Sequence, residues 1–135
     1  MIVSLHVATG AALGAAVRRR GALLVLGPVL HILSDRVPHQ DIDSLRFEVG
    51  SGAAGLVALA TRFGPLHPAT LGAIATCLPD AEHLIRLPRP GGRKLFPSHR
   101  FEDWHREGGL PTWVQLAAAG VLLGAMLAAR PTPRR

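Results

Sequence analysis

GPVLHILSDRVPHQDID, Gly27 to Asp43, is the stretch around which the rest of the chain is organised. It carries two of the seven histidines and three of the nine acidic residues, at the end of an otherwise apolar segment. His31 and Asp35 are four residues apart, so on a helix they share one face, one above the other. His39 follows by four more, just after Pro38. Imidazole nitrogen and carboxylate oxygen converging from a helix end is how proteins hold a zinc-like divalent ion. The competing reading is a helix terminus with polar capping residues.

The whole chain has 135 residues, the size of one domain. Its apolar fraction is 48%, built from Ala, Leu, Val and Gly, with no Tyr, two Trp and four Phe. Small-residue, Leu-rich helices with Gly match membrane-type packing, where backbones approach closely. Cys77 is the single cysteine, so no internal disulfide and no Cys-type metal site is available. The opening MIVSLHVATGAALGAAVRRR places its basic run after the apolar stretch, unlike a signal peptide.

The pattern predicts an all-α fold of about five short apolar helices in a membrane-type bundle. These run from Ile2 to about Val17, about Ala22 to Asp35, about Phe47 to Arg62, about Pro65 to Leu78, and Pro111 to about Ala129. Asp80 to Leu87 reads as a helical turn, and Ser98 to Glu107 as one amphipathic helical stretch with Ser98 as its cap. About 20 apolar residues are needed to cross a bilayer. The last helix comes nearest, and a compact bundle with a polar capped end is the alternative.

One unit is written twice. His6-Val-Ala-Thr-Gly-Ala-Ala aligns with Glu48-Val-Gly-Ser-Gly-Ala-Ala at offset 42, and Gly27 to Asp35 aligns with Gly72 to Asp80 at offset 45. Residues 1–45 and 46–87 are then repeat-like halves, followed by a loop and amphipathic segment at 88–109 and the last helix at 110–130. Two pseudo-twofold-related hairpins would bring equivalent ends together: His6 with Glu48, Asp35 with Asp80, His39 with His83.

The net charge is +6. Alternate threading of five helices puts Arg18, Arg19, Arg20, Arg62, Arg130, Arg134 and Arg135 at one end with no acidic residue, and all nine acidic residues at the other. Excess basic residues in short loops mark a cytoplasmic face. This predicts a multi-pass protein of a bacterial inner membrane, contacting lipid, with the N-terminus and acidic end outward and the C-terminus cytoplasmic. It argues against nucleic acid, because the purely basic end is only short loops and a tail; no protein partner is indicated. The same threading gathers His6, Asp35, His39, Glu48, Asp80, His83, His99 and His105 at one end, with His31 one turn deeper. His67 falls at the opposite end and reads as structural.

At ATCLPDAEHL (Ala75–Leu84) and PSHRFEDWHR (Pro97–Arg106) the sequence resembles the membrane-bound metal-dependent hydrolase family of bacterial inner membranes, which is related to zinc-dependent phospholipase C. Matching positions are His6, Pro79-Asp80-Ala-Glu82-His83, His99-Arg100 with His105, and Leu30-His31-Ile-Leu-Ser-Asp35. Two features differ: Glu82 stands where the family has a second Asp, and the His31–Asp35 motif precedes the Pro-Asp motif instead of following it. The resemblance implies a hydrolase acting on phosphoesters or lipids.

Imidazoles and carboxylates without a thiolate suit zinc, manganese or iron. The expected ligands are His6, Asp35, Asp80, His83 and His99, with His31 as a deeper supporting group and His39 as an alternate ligand. Five ligands admit one ion or two, and two-metal clamps suit phosphoester displacement. Glu48 or Glu102 is the expected general base, and His105 a general acid or support for a ligand. Arg100 is the expected anchor for an anionic substrate. Arg93 and Lys94 read as a solvated loop, and Trp104 and Trp113 as interfacial anchors. A non-catalytic metal-binding membrane protein is the alternative.

Overall fold

The structure is a computed structural model that describes residues 1–85, 88–101, 104 and 108–129. Within them the chain is all-α. Its helices are α1 (Val3–Val17), α2 (Arg20–Ser34), α3 (Leu45–Phe63), α4 (Pro68–Cys77), the single turns α5 (Ala81–Leu84) and α6 (Pro97–Arg100), and α7 (Thr112–Ala128).

The helix ends follow from local chemistry. Ser44 caps α3, its Oγ accepting from the Phe47 N–H at 3.3 Å. Gly64, at φ 99°, ends α3 in a conformation that other residues avoid. Pro68 occupies the first turn of α4, where its missing N–H costs nothing. His67 caps that helix, its Nδ1 accepting from the Ala69 N–H at 3.2 Å, which gives it the structural role expected for it. α4 therefore starts at Pro68, three residues later than the apolar pattern suggested. Pro79 follows its last turn and helps to stop it.

α1 is the central helix, packed against α2, α3, α4 and α7. Its closest partner is α4, and glycine makes that approach possible. A Cβ on Gly14 would lie 2.0 Å from the Pro68 carbonyl oxygen, and one on Gly72 would lie 2.3 Å from the Gly10 carbonyl oxygen. Val7, Ala11, Leu59, Ala69 and Ala73 form one buried cluster, and Ile2, Leu5, Ala8 and Ala119 a second. A fully buried side chain such as Leu59 contributes on the order of 1.5–3 kcal/mol. Small residues fill most of the remaining core, so its stability comes from many modest contacts.

Two polar ties fix the loops at one end. Buried Gln115 of α7 accepts from the Ile2 N–H at 3.1 Å and donates to the carbonyls of Gln40 at 2.7 Å and Leu110 at 3.2 Å. Trp104 donates its indole N–H to the Ile32 carbonyl at 2.9 Å, with the Arg36 guanidinium 4.6 Å from its ring centre. This polar anchoring into α2 differs from the interfacial role expected of Trp104, whereas Trp113 is exposed at the start of α7.

The membrane-spanning expectation is corrected here. Among the described residues no helix is long and apolar enough to cross a membrane. α1 and α2 have 15 residues, α4 has 10 and α7 has 17. α3 reaches 19 but carries Arg46, Glu48 and Arg62. At 1.5 Å per residue the four shorter helices fall below the roughly 30 Å hydrocarbon thickness. The multi-pass inner-membrane placement, with its outward and cytoplasmic sides, fails with them. The expected helix from Ser98 to Glu107 is also shorter: α6 covers Pro97–Arg100 and Phe101 is extended, while Glu102, Asp103 and residues 105–107 lie outside the described residues.

Candidate metal centre

The end of α2, the junction of α4 and α5, α6 and the first turns of α1 meet at one end of the bundle. His6 of α1 and His31 of α2 are wholly buried, their rings stacked with centres 4.1 Å apart. Asp35 follows the last turn of α2 and sits between them. Its Oδ1 is 3.1 Å from His6 Nε2, and its Oδ2 is 3.1 Å from His31 Nε2. Asp80, which precedes α5, places Oδ1 3.7 Å from His31 Nε2 and 3.7 Å from His99 Nε2. His99 Nε2 is in turn 3.9 Å from Asp35 Oδ2. Two ligand groups result, His6–His31–Asp35 and His31–Asp80–His99, each with donor atoms within 4.8 Å of one another and both containing His31.

Hydrogen bonding does not account for all of these atoms. His31 Nε2 and Asp80 Oδ2 are buried without a hydrogen-bond partner, as are His31 Nδ1 and His6 Nδ1. His31 Nε2 reaches Asp35 at ion-pair distance, yet the alignment makes no hydrogen bond. Buried polar atoms ordinarily find partners, since leaving one unpaired costs about 1–3 kcal/mol. A divalent cation would take up the His31 Nε2 and Asp80 Oδ2 lone pairs, and to that extent the donor set fits a metal; the Nδ1 atoms of His6 and His31, on the far side of each ring, belong to no such site.

Glu82 supplies the support behind His99. It is buried at 2% exposure and accepts from the Leu95 N–H at 2.8 Å. Its Oε1 lies 2.6 Å from His99 Nδ1. That pairing holds the proton on Nδ1 and turns the Nε2 lone pair toward Asp35 and Asp80. A carboxylate behind the ligating imidazole is the usual support in metal sites.

The electrostatics are uneven. Burial drives His6 down to about 4, with the neighbouring Asp35 opposing the shift, so the ring is neutral at pH 7. Burial also pushes the Asp35 carboxyl up, but the adjacent His31 and His6 rings and the N-terminal ammonium outweigh it and hold Asp35 well below the usual carboxylate range. At Asp80 burial outweighs the same His31 and ammonium charges, and with Asp35 adding it raises the carboxyl to about 6. His99 is lowered, by burial first, against the pull of Glu82.

The remaining expected residues fall around this core. His83 is not among the converging ligands. α5 is one turn, so successive side chains point about 100° apart. Glu82 turns inward and His83 outward, where its Nδ1 is 3.3 Å from Lys94 Nζ. Burial, with His99 and Lys94 adding, lowers His83 to about 4. His39 turns Nδ1 to the Val37 carbonyl at 2.7 Å and Nε2 to Asp41 at 3.1 Å and to the Met1 amino group, which also donates to Asp35 Oδ1 at 2.9 Å. Glu48 accepts from the Val3 N–H at 3.4 Å, and its carboxyl is raised by burial, with Asp41 adding. Arg100 is exposed beside Phe101. Glu102 and His105 lie outside the described residues.

A cleft of about 490 Å³ opens against the centre. Asp80, His83 and His99 line it on the side of the cluster, Glu48 and Lys94 add polar groups, and Val3, Leu45, Val49, Leu84 and Phe101 make it largely apolar. Lys94 brings a cationic side chain to this cleft, and Arg100 is not among the described residues of its wall. Comparison with protein-family models, curated proteins and solved structures finds no match for this chain.

Proposed function

We propose that the chain is a metal-dependent hydrolase whose His/Asp centre holds a divalent ion beside the 490 Å³ cleft. The observation that carries this reading is the convergence of His6, His31, Asp35, Asp80 and His99 with Glu82 bonded behind His99. Zinc is the first choice for imidazoles and carboxylates, with manganese or iron as alternatives. Bound there, such an ion supplies Lewis acidity toward a phosphoryl or carbonyl oxygen.

The chain's own groups have distinct tasks. Glu82 keeps the His99 proton on Nδ1. Glu48, whose raised carboxyl faces the cleft, is suited to exchange a proton with a group bound there. Lys94 offers its ammonium to an anionic substrate, and the apolar wall suits the non-polar part of such a molecule. Phosphoester substrates follow from the resemblance of the Pro79–His83 and His99–Arg100 motifs to the metal-dependent hydrolase family, and the Lys94 charge agrees with that class.

Hydrolysis of bis(p-nitrophenyl) phosphate by zinc-loaded protein tests the reading. The expected result is turnover in the wild type that falls at least about a hundredfold in His99→Ala, in line with losing a metal ligand or its support. Full metal occupancy without turnover of phosphodiester, phosphomonoester or carboxylester probes would refute hydrolysis and leave a binding centre.

A further inference from the structure

We propose that the end of the bundle opposite the His/Asp centre carries a site for a multivalent phosphate anion. A cleft of about 740 Å³ opens there between the α1–α2 junction, the α3–α4 junction and the end of α7. Arg18, Arg20 and Arg62 lie on its wall, over an apolar floor that includes Phe63 and Met126.

Two observations converge on an anion. First, charge is segregated: every acidic residue within the described part lies toward the other end, and none lines this cleft. Among the described residues, Arg18, Arg20 and Arg62 make no ion pair. Second, backbone carbonyls fix the Arg62 guanidinium, and a backbone turn carries Arg18 and Arg20. Arg62 donates Nε–H to the Leu127 carbonyl at 3.1 Å and Nη2–H to the Ala129 carbonyl at 2.9 Å, which fixes its guanidinium over the end of α7. Arg18 is the one non-glycine residue in the described part with positive φ, at 58°. That bend reverses the chain from α1 into α2 and brings Arg18 and Arg20 to the same wall. An L-residue in this region costs about 1–2 kcal/mol, and glycine would hold the turn without that cost.

Arginine recognises phosphate through paired N–H donors, and the Arg18 and Arg20 guanidiniums, with the fixed Arg62 charge beside them, call for more than a single negative charge. Pyrophosphate and the phosphomonoester headgroup of a lipid share that chemistry.

Isothermal titration of the chelator-treated protein with pyrophosphate tests the proposal, because the chelator silences the distant metal centre. The comparison is with the double variant Arg18→Gly/Arg20→Gln, whose glycine suits the positive φ and preserves the fold. Saturable binding that weakens at least about tenfold in the double variant is the expected result. A parallel arm uses phosphatidylcholine vesicles with and without phosphatidic acid. Binding only to the phosphatidic-acid vesicles, lost in the double variant, assigns the site to a headgroup. Binding of pyrophosphate assigns it to a free anion. Equal affinity in wild type and double variant, equal binding to both vesicle types, or failure to bind both pyrophosphate and phosphatidic acid would overturn it.

Discussion

Glu82→Gln changes one atom of a buried side chain and should disable a group it never replaces. Glu82 accepts from the Leu95 N–H at 2.8 Å and faces His99 Nδ1 at 2.6 Å. Glutamine keeps an oxygen for Leu95 but turns an NH2 toward His99. Nδ1 must then accept, which moves the ring proton to Nε2. That nitrogen is the one facing Asp80 at 3.7 Å and Asp35 at 3.9 Å, and once protonated it cannot ligate. Losing the carboxylate behind a ligating histidine typically weakens metal binding 10–100-fold, about 1.4–2.8 kcal/mol. Competition against a chromogenic zinc chelator at pH 7.5 measures the affinity, and the ¹⁵N shifts of His99 in metal-free protein report the tautomer independently. Zinc affinity within twofold of wild type, with the tautomer switched, would refute the assignment of His99 as a ligand. An unswitched tautomer would refute the role given to Glu82.

Asp80, raised to about 6 by burial, must lose its proton to ligate, so divalent affinity should strengthen as pH rises through 6. His6, already lowered to about 4, adds no change in that window, and an affinity flat from pH 5 to 7.5 would contradict the placement of Asp80. His83→Ala should leave metal content unchanged while His99→Ala lowers it, as elemental analysis of the two variants would show. Gly72→Ala drives a Cβ to 2.3 Å from the Gly10 carbonyl and should cost about 1–3 kcal/mol in urea unfolding. Gly120→Ala, on an open face of α7, should be neutral or stabilising by about 0.5–1 kcal/mol.

Helical periodicity made the all-α architecture readable, and proline, glycine and capping residues located the main breaks. Span was less readable, because Ala- and Gly-rich helices look alike whether they pack in lipid or against each other. Here the small residues bring α1 against α4, with Gly10, Gly14 and Gly72 at the contact. The cluster is legible where a helix fixes the direction of a side chain: His31 in the last turn of α2 and Asp35 at its C-cap, four apart and still helical in φ and ψ, meet as their spacing predicts. The repeat aligns His31 with Thr76, a pairing that gives no sign of the position of His31 in both ligand groups. That threonine instead bonds its own helix at the Gly72 carbonyl, 2.9 Å away, and packs against Gly10. The motif singles out His83 as a ligand and gives Glu82 no role, whereas in the structure it is Glu82 that faces His99. A single turn such as α5 has no periodicity to show which of two adjacent polar residues faces inward. The cleft and its Lys94 depend on loops far apart in sequence, and no local pattern encodes them.

The central claim is that the His/Asp cluster holds a divalent ion, and elemental analysis of purified protein tests it most directly. Wild type should carry about one or two divalent ions per chain, the number such a ligand count can hold. Asp35→Ala and Asp80→Ala should each lower that content while the helical circular dichroism persists. Absence of metal from the wild type after zinc reconstitution, or content unchanged in both variants, would contradict the account.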